Sequence, residues 1–396
     1  KWPALDQFKN AVSDFIPVAR ISDMLLDPGE ILSYNGREIK YPDIKLVYWA
    51  GGNPFHHQMN LKKLVKAFKQ PDSVIVNEIW WNSLARHSDI VLPATSSLEK
   101  NDIGIRHWDQ TISPMHKIIE PIGESKSDYE IFSLISSKLN IEDKFTENRN
   151  EDQWLRYLWE KSKESAKQAG FNLPEFDKFW QNGFQEVLSP KKQTILLEEF
   201  VKDPIKNPVF TPSGKIEIFS ETIENFNYKD CPGHPTWLEQ EEWLGSSLTK
   251  HYPLQLISGQ PHNRLHSQLD NGSESQRDKI SGREPMKIHP HDALARKLKD
   301  GDIVEIFNKR GKCLAGVVIS KEVMQGIIFL PVGAWYDPVD DSGFCVHGNP
   351  NVLTADIGTS SLAQGPSAHS TLVEVKKFIK ELPPISILEK PNIINK

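Results

Sequence analysis

The sequence predicts an α/β protein in which a doubly wound, mostly parallel sheet is followed by a β-barrel. Apolar runs alternate with helical patterns over residues 44–94, and short β-branched runs separated by turns fill the chain after residue 252. Alternation of strand and helix is the signature of a parallel sheet. Several strands at short spacing, with a single helix among them, are typical of a compact barrel.

The predicted sheet begins at residues 44–49, whose sequence IKLVYW suits a strand buried on both faces. Asn60 is placed to cap a helix whose apolar face consists of Leu61, Leu64, Val65 and Phe68. Further strands are predicted at residues 73–76 and 90–94, with a short helical stretch near residues 80–86 between them.

Two more helices follow the sheet. Ser127 with Asp128 and Glu130 predicts a helix N-terminus, and the inward face of that helix is expected to hold Ile131, Leu134, Ile135 and Leu139. A charged helix is expected over residues 151–169, ended by Gly170. The segment TPSGKIEIFS, residues 211–220, predicts a turn that leads into a strand.

The barrel strands are predicted at LQLISG, DIVEIFN, CLAGVVIS, GIIFLPVGAW and STLVEVKKF, with one helix at residues 291–298. This change of pattern predicts an α/β domain over residues 1–245, a barrel domain over 246–380 and a C-terminal tail over 381–396. The chain begins at Lys1, within a pattern, so we interpret it as a piece of a longer protein whose N-terminal half is missing.

Composition excludes several classes of protein. A net charge of −6 argues against a nucleic-acid binder that works by phosphate neutralisation. The three cysteines are far apart and form no CxxC, so we expect neither a zinc or iron–sulfur site nor a disulfide framework. The longest apolar runs are too short for a membrane span.

Four polar segments are candidate binding sites. The loop of residues 51–58, GGNPFHHQ, follows a strand end, where glycines let the backbone approach a phosphate. A polar group beyond the later strands comprises Asn77, Glu78, Lys100 and Glu130. The richest segment is residues 258–268, in which Arg264 could offer a fork to a phosphate or pterin oxygen. The run after residue 347 is rich in Asn and Gly. Except for 258–268, each segment taken alone is more often a turn or a polar surface than a binding site.

Taken together, these segments resemble one family, the dimethyl sulfoxide reductase family of molybdopterin oxidoreductases. The resemblance extends over about residues 15–378, and within the family it is strongest to the biotin or methionine sulfoxide and trimethylamine N-oxide reductases. It is carried by IPVARISDMLLDPG, VYWAGGNPFHH, ARHSDIVLPATSSLEKNDIG, TPSGKIEIFSETI, LISGQPHNRLHSQLDNGS, GAWYDP and HGNPNVLTADIGTSSLAQGPSAHSTLVEV.

The resemblance implies a molybdenum ion held by two molybdopterin guanine dinucleotides, and a barrel of double-psi type. In the α/β portion, the positions that match the family's contacts to one dinucleotide are Asn53, His57, Asn77, Glu78, Lys100 and Glu130. The barrel positions that match its pterin contacts are Ser258, Gly259, Gln260, Pro261, Arg264, His266, Ser267, Gln268, Asn351, Ala368 and His369. The family often has Arg and Asp where this chain has Lys100 and Glu130, and Lys does not reproduce a bidentate fork.

The resemblance also implies an activity: reduction of S-oxides or N-oxides by oxygen-atom transfer, with biotin or methionine sulfoxide as the expected substrate. Trimethylamine N-oxide or dimethyl sulfoxide are alternatives, and a non-catalytic nucleotide-binding module is an alternative of another class. The serine that ligates molybdenum is expected in the missing N-terminal half, so the chain alone is expected to be inactive and to hold no metal ligand. A bacterial protein is implied, in the cytoplasm or the periplasm, with a c-type cytochrome or a cytoplasmic reductant as electron donor.

Overall fold

The computed structural model describes residues 9–12, 15–105, 110–187 and 195–391. The chain divides into two compact units. The first unit comprises residues 1–13, 77–79 and 92–217, and the second comprises residues 14–76, 80–91 and 218–396. The domain boundaries expected from the sequence stay a prediction.

The chain up to residue 93 forms a helix, a hairpin and a three-stranded sheet in the order β3-β4-β5. The elements are α1 (Ile21–Leu26), β1 (Ile31–Tyr34), β2 (Arg37–Lys40), β3 (Leu46–Ala50), α2 (Pro54–His57), α3 (Leu61–Phe68), β4 (Ser73–Glu78) and β5 (Ile90–Pro93). The Ser73 N–H donates to the Lys45 carbonyl at 3.3 Å, and the Asp89 N–H donates to the Val74 carbonyl at 2.9 Å. Each strand therefore starts beside the start of its neighbour, which makes the sheet parallel as predicted.

The sequence located α3 and its cap correctly, because the Asn60 side chain accepts a hydrogen bond from the Lys63 N–H at 3.3 Å. Leu61 and Leu64 are fully buried. The helical stretch expected near residues 80–86 is instead a single 3₁₀ turn, Ala85–His87.

The first unit continues with β6 (Asp102–Ile105), β7 (Thr111–Met115), α4 (Asp128–Lys138), α5 (Glu142–Thr146), α6 (Glu151–Gln168), α7 (Phe176–Asn182), β8 (Gln185–Glu186) and α8 (Glu198–Lys202). Strands β6, β7 and β8 form an antiparallel sheet. Helices α6 and α7 pack through Trp159 and Phe179, whose rings stack at 3.8 Å between centroids. These side chains belong to a core separate from that of the barrel.

Two expectations from the sequence were wrong. Leu134 in α4 and Leu139 at its C-cap are 55% and 63% exposed, so only part of the predicted inward face is buried. Residues 215–219 form no strand, and Ile216 and Ile218 are 66% and 83% exposed. An alternating apolar pattern makes a strand only where a neighbouring strand completes its hydrogen bonds, and the described residues offer none to this segment.

The rest of the second unit is built around a closed barrel. Its elements are α9 (Glu221–Glu224), β9 (Leu254–Ile257), α10 (Ser273–Arg277), β10 (Pro285–Ile288), α11 (Pro290–Ala295), β11 (Ile303–Phe307), β12 (Lys312–Ile319), β13 (Ile327–Phe329), β14 (Phe344–Cys345) and β15 (Leu372–Lys377). The strand order is β10-β13-β9-β15-β11-β12, and pairing of β10 with β12 closes the ring at six strands. The barrel predicted from the sequence is therefore confirmed.

The barrel interior is filled by aliphatic side chains that alternate along the strands, as a small barrel requires. Fully buried members are Leu256, Met286, Ile288, Val304, Ile306, Val317, Ile328 and Val373. Within the described residues, the longest helices are either too short or too polar to span a membrane.

Candidate functional site

In the second unit, the loop after β3 turns sharply before α2. Gly51 and Gly52 have φ values of +80° and +79°, a region that glycine enters without strain. A Cβ at Gly51 would meet no atom within 4 Å, so this backbone lies open to an approaching group. The Asn53 side chain caps α2 by accepting from the Phe55 N–H at 3.0 Å. The sequence prediction of an accessible glycine turn is consistent with this geometry.

Asn53 also joins this loop to the segment after β9. Its Nδ2 donates to the Ser267 hydroxyl at 3.3 Å, although 214 residues separate the two in the chain. Ser267 in turn accepts a hydrogen bond at its carbonyl oxygen from the Trp335 indole at 2.8 Å. Two of the four candidate segments, 51–58 and 258–268, therefore form one polar surface.

The segment after β9 is fixed at its base by the barrel. The Ser258 hydroxyl donates to the Leu330 carbonyl at 2.9 Å, and the Val332 N–H donates to the Gly259 carbonyl at 2.9 Å. A Cβ at Gly259 would lie 3.1 Å from the Phe329 ring, which leaves little room for a side chain. Ser258 and Gly259 thus shape the loop, and the polar side chains farther along it reach the surface.

Gln260 holds His266 at two points. Its Oε1 accepts from the His266 backbone N–H at 2.8 Å, and its Nε2 lies 2.8 Å from His266 Nδ1. His266 has a left-handed φ of +54°, which is uncommon for a residue with a side chain. A Cβ at Gly333 would come within 1.9 Å of the His266 carbonyl oxygen, so the neighbouring segment must carry glycine there.

The two histidine-bearing segments meet at their imidazoles. His56 Nε2 lies 3.0 Å from His266 Nδ1. Burial lowers the pKa of His56 to about 4, with the nearby His266 and His57 acting in the same direction, so His56 is neutral at physiological pH. His57, the predicted contact, is exposed beside this pair.

Arg264 does not offer the fork that the sequence led us to expect. Its side chain is only 2% exposed and is surrounded by internal partners. The guanidinium donates to the Val332 carbonyl at 2.9 Å and to the Ser275 hydroxyl at 3.1 Å, and it pairs with Glu284 at 3.1 Å. A buried guanidinium requires such partners, so Arg264 anchors the loop from within rather than reaching a ligand.

Arg264 belongs to a buried ionic cluster that also contains Asp270, Lys279, Glu284 and His347. Lys279 lies 2.9 Å from Asp270 and 2.8 Å from Glu284, and all three side chains are at most 2% exposed. Burial raises the pKa of Asp270, but the positive charges of Lys279 and Arg264 outweigh that effect and lower the pKa to about 2. The second oxygen of Asp270 accepts from the Trp335 N–H at 2.8 Å. The cluster therefore ties the 258–270 segment to residues 332–336.

The remaining barrel candidates divide between interior and surface. Asn351 Nδ2 donates to the His56 carbonyl at 2.6 Å, and its Oδ1 accepts from the Thr354 hydroxyl at 3.0 Å. Asn351 thus supports the histidine loop from behind. Sequence reasoning missed Asn349, a buried residue whose Nδ2 donates to the carbonyls of Phe55 and Ala334, both at 2.9 Å. Gln268 is exposed and Pro261 is half-buried.

Ala368 and His369 line a cleft with a volume of about 340 Å³. Its other walls come from residues 240–242, 355, 357–359, 366–367 and 370. His369 Nδ1 accepts from the Ser258 N–H at 3.5 Å, which connects the cleft to the start of the 258–268 segment. This is a concave site, lined by both apolar and polar groups, of the kind that small ligands occupy.

The first unit holds the other four candidates. Asn77, at the end of β4, donates from Nδ2 to Asp128 at 2.8 Å. Glu130 caps α4 by accepting from the Ser127 N–H at 2.9 Å, so its carboxylate is turned back toward the helix start. Glu78 accepts from the Ile79 N–H at 2.9 Å, and Lys100 lies 3.8 Å from Asp102.

One carboxylate oxygen of Glu130 is therefore occupied at the start of α4, and the assignment of Glu130 to the ligand site stays a prediction. The capping box was visible in the sequence, and its reciprocal hydrogen bonds are the signal that commits Glu130 to the helix. Asp128, in the first turn of α4, keeps an exposed carboxylate beside Asn77.

Among the described residues, no three or more His, Cys, Asp or Glu side chains are grouped so as to hold a metal ion. Cys313 and Cys345 are buried in the barrel, and burial raises the pKa of each thiol.

Comparison with known families gives two matches. Residues 19–138 match the model of the molybdopterin oxidoreductases, and residues 254–372 match that of the molydopterin dinucleotide binding domain. The first match includes the loop of residues 51–58 and the Asn77–Asp128 pair, and the second begins with β9. The candidate segments thus lie within regions that the two families define.

Curated relatives include a trimethylamine-N-oxide reductase of Haemophilus influenzae, 45% identical over 95% of this chain and 46% of its own length. A biotin sulfoxide reductase of Cereibacter sphaeroides is 43% identical over 95% of this chain and 50% of its own length. A dimethyl sulfoxide/trimethylamine N-oxide reductase of Rhodobacter capsulatus is 43% identical over 92% of this chain and 45% of its own length. The chain thus spans about half the length of these relatives.

Among solved structures, acetylene hydratase from Pelobacter acetylenicus superimposes with a TM-score of 0.66 at 18% identity, covering 85% of this chain and 45% of that one. Similarity at this identity supports the fold alone. Two family models and relatives above 40% identity agree, and the chain therefore belongs to the molybdopterin oxidoreductases of the dimethyl sulfoxide reductase family.

Proposed function

We propose that this chain is the cofactor-binding half of a molybdenum enzyme that reduces S-oxides or N-oxides by oxygen-atom transfer. The observation that carries the proposal is the single polar surface made by residues 51–58 and 258–268. Asn53 joins Ser267, and His56 joins His266, across more than 200 residues of sequence. Both segments lie within matched family regions, and the relatives that share them are named for S-oxide or N-oxide reduction.

The residues of the second unit fit the pterin part of a molybdopterin guanine dinucleotide. The open glycine turn admits a phosphate or ring to the backbone. Gln260, His266 and Gln268 offer amide and imidazole groups at the surface of the loop, and Ala368 and His369 line the cleft. Heterocycle and phosphate oxygens are recognised by such donors. We assign the barrel to the double-psi type, with the domain limits given by the sequence.

In the first unit, we assign the guanosine end to Asn77, Asp128 and Lys100. The Asp128 carboxylate can accept the paired N–H groups of a guanine edge, and the Asn77 amide holds that carboxylate in place. Lys100 supplies a positive charge on the same unit. When bound, the molybdenum cofactor supplies the two-electron chemistry. The contribution of this chain is binding, orientation and electrostatics.

We propose biotin or methionine sulfoxide as the substrate. This choice rests on the segments YWAGGNPFHH and ISGQPHNRLHSQLDNG, which resemble the biotin or methionine sulfoxide reductases most strongly. Trimethylamine N-oxide is the second candidate, favoured by the 45% identical relative named for that activity. The electron donor is proposed to be a c-type cytochrome or a cytoplasmic reductant.

The test uses the full-length protein, purified from cells supplied with molybdate. We expect molybdenum and guanine nucleotide in a ratio of one to two, and reduction of methionine sulfoxide, biotin sulfoxide or trimethylamine N-oxide by a reduced viologen. Comparison of kcat/KM for the three oxides identifies the substrate. A protein without molybdenum or guanine nucleotide would instead be a non-catalytic module, and the proposal would fail.

A further inference from the structure

We propose that Gln260 is a positioning residue that fixes the proton of His266 on Nε2, so that His266 presents an N–H donor to an oxygen of the bound cofactor. The identity of the ligand rests on the proposed function, whereas the protonation pattern rests on this chain's own hydrogen bonds. Three steps lead to it, each set by the preceding one.

The first step fixes the orientation of the Gln260 amide. The His266 backbone N–H is an obligatory donor, and it lies 2.8 Å from the amide atom of Gln260 that must therefore accept. That atom is Oε1, because an amide NH₂ in its place would oppose donor to donor. The two ends of the amide are consequently distinguished by chemistry.

The second step fixes the imidazole of His266. With Oε1 committed to the backbone, Gln260 directs its NH₂ at His266 Nδ1, 2.8 Å away. An amide NH₂ only donates, so Nδ1 must be an unprotonated acceptor. A neutral imidazole carries one proton, and that proton is then on Nε2.

The third step reaches His56 on the other segment. Its Nε2 lies 3.0 Å from the same His266 Nδ1, so Nε2 carries the proton and is a second, weaker donor that shares the single lone pair of Nδ1 with Gln260. His56 Nδ1 is then bare. This nitrogen is buried without a hydrogen-bond partner. Burial without a partner costs less free energy for an unprotonated ring nitrogen than for an N–H donor. The low pKa of His56 agrees with a neutral ring.

The backbone keeps this arrangement rigid. The left-handed φ of His266 is unfavourable for a residue with a side chain, and the Gln260 bond to its N–H helps to hold it. The His266 carbonyl packs closely against Gly333, where a Cβ would come within 1.9 Å of the carbonyl oxygen. His266 itself is exposed, so its Nε2–H is available to a ligand. A phosphate oxygen or a pterin carbonyl oxygen is the matching acceptor.

The protonation pattern is measured by long-range ¹H–¹⁵N NMR of histidine-labelled full-length protein, with cofactor removed and with cofactor bound. The couplings of each ring nitrogen to the two ring carbon protons show which nitrogen carries the proton. A His266→Phe variant, used only for assignment, identifies the His266 signals. We expect the Nε2–H form near pH 7.5 in the wild-type protein. A predominant Nδ1–H form would overturn the proposal without any further variant.

The decisive variant is Gln260→Glu, with Gln325→Glu as control because Gln325 is exposed in the turn before β13. A carboxylate still accepts from the His266 N–H but no longer donates to Nδ1. The proton is then expected to move to Nδ1, where it can donate to the new carboxylate, while the control keeps the wild-type pattern. An unchanged His266 spectrum in Gln260→Glu would refute the positioning role.

Cofactor retention supplies a second readout. Loss of one well-placed donor is expected to weaken retention of molybdenum and guanine nucleotide about tenfold in Gln260→Glu, relative to Gln325→Glu. Equal retention in the two variants would exclude a ligand contact by His266. A wild-type protein with the Nε2–H form but no molybdenum would leave the hydrogen-bond relay intact and remove the proposed function, so the two failures are distinguishable.

Discussion

His347 makes the stability of the barrel unit depend on pH. The ring is fully buried, its Nδ1 lies 3.1 Å from the Trp335 carbonyl, and its Nε2 has no hydrogen-bond partner. Burial lowers the pKa of His347 from 6.5 to about 3, and the positive charges of Lys279 and Arg264 add to that effect, while Asp270 and the Trp335 carbonyl oppose it. The folded protein therefore holds this histidine neutral at pH 5 and above.

The size of the effect follows from the two pKa values. Because the folded-state pKa lies below the unfolded value, the unfolded chain binds more protons as the pH falls through 6.5, and stability is lost. Between pH 7 and pH 5 the unfolded imidazole goes from about one quarter to nearly fully protonated, whereas the folded one stays neutral. The expected loss of unfolding free energy from this group is about 2 kcal/mol.

The assay is urea unfolding at pH 7 and pH 5, compared between wild type and His347→Asn. The Asn amide can still donate to the Trp335 carbonyl but does not titrate. The contributions of Asp270 and His56 to the pH dependence are expected to be the same in both proteins and to cancel in the comparison. The variant should be less stable at pH 7, because the smaller side chain leaves a cavity, yet it should lose about 2 kcal/mol less on acidification. Equal losses in both proteins would refute the reasoning.

Three further substitutions test the supports of the site, each by urea unfolding. Gly333→Ala is expected to destabilise the protein by more than Gly301→Ala: both have φ above +80°, but a Cβ at Gly301 meets nothing within 4 Å. Equal losses of unfolding free energy in the two variants would mean that the His266 carbonyl can move away from the new Cβ at little cost. Asp270→Asn should cost about 3–5 kcal/mol, since it leaves buried cations without their partner; a loss below 1 kcal/mol would contradict an ionic anchor. Ser127→Ala removes one half of a capping box and should cost about 1 kcal/mol, whereas no change would show that the start of α4 is held by other contacts.

The sequence predicted most of the secondary structure because local patterns determine it. The Asn60 cap, the Ser127 capping box and five of the six barrel strands follow from residue spacing and are found where expected, whereas β10 was not predicted. The strand expected at residues 215–219 failed for a non-local reason. A strand needs a neighbour, and single-sequence periodicity says nothing about which neighbour is available.

The site was predicted as segments but not as contacts. The local sequence around an arginine in a polar loop is the same whether the side chain points outward or inward. Arg264 points inward because it pairs with Asp270 and Glu284, which lie 6 and 20 residues farther along the chain. Sequence reasoning named Glu130 and missed Asp128. The resemblance identified a position in the chain, whereas the capping box determines that the Glu130 carboxylate points toward the start of α4. Links between distant segments, such as Asn53 with Ser267, are properties of the fold alone.

The strand order of the barrel has a consequence for synthesis. The last strand, β15, lies between β9 and β11, so the ring stays open until the ribosome has released residues 372–377. Until then, β9 and β11 each present an unpaired edge, which is a template for intermolecular association. A chain that stops upstream of Leu372 is therefore expected to aggregate during expression, even though more than nine tenths of the sequence would be present.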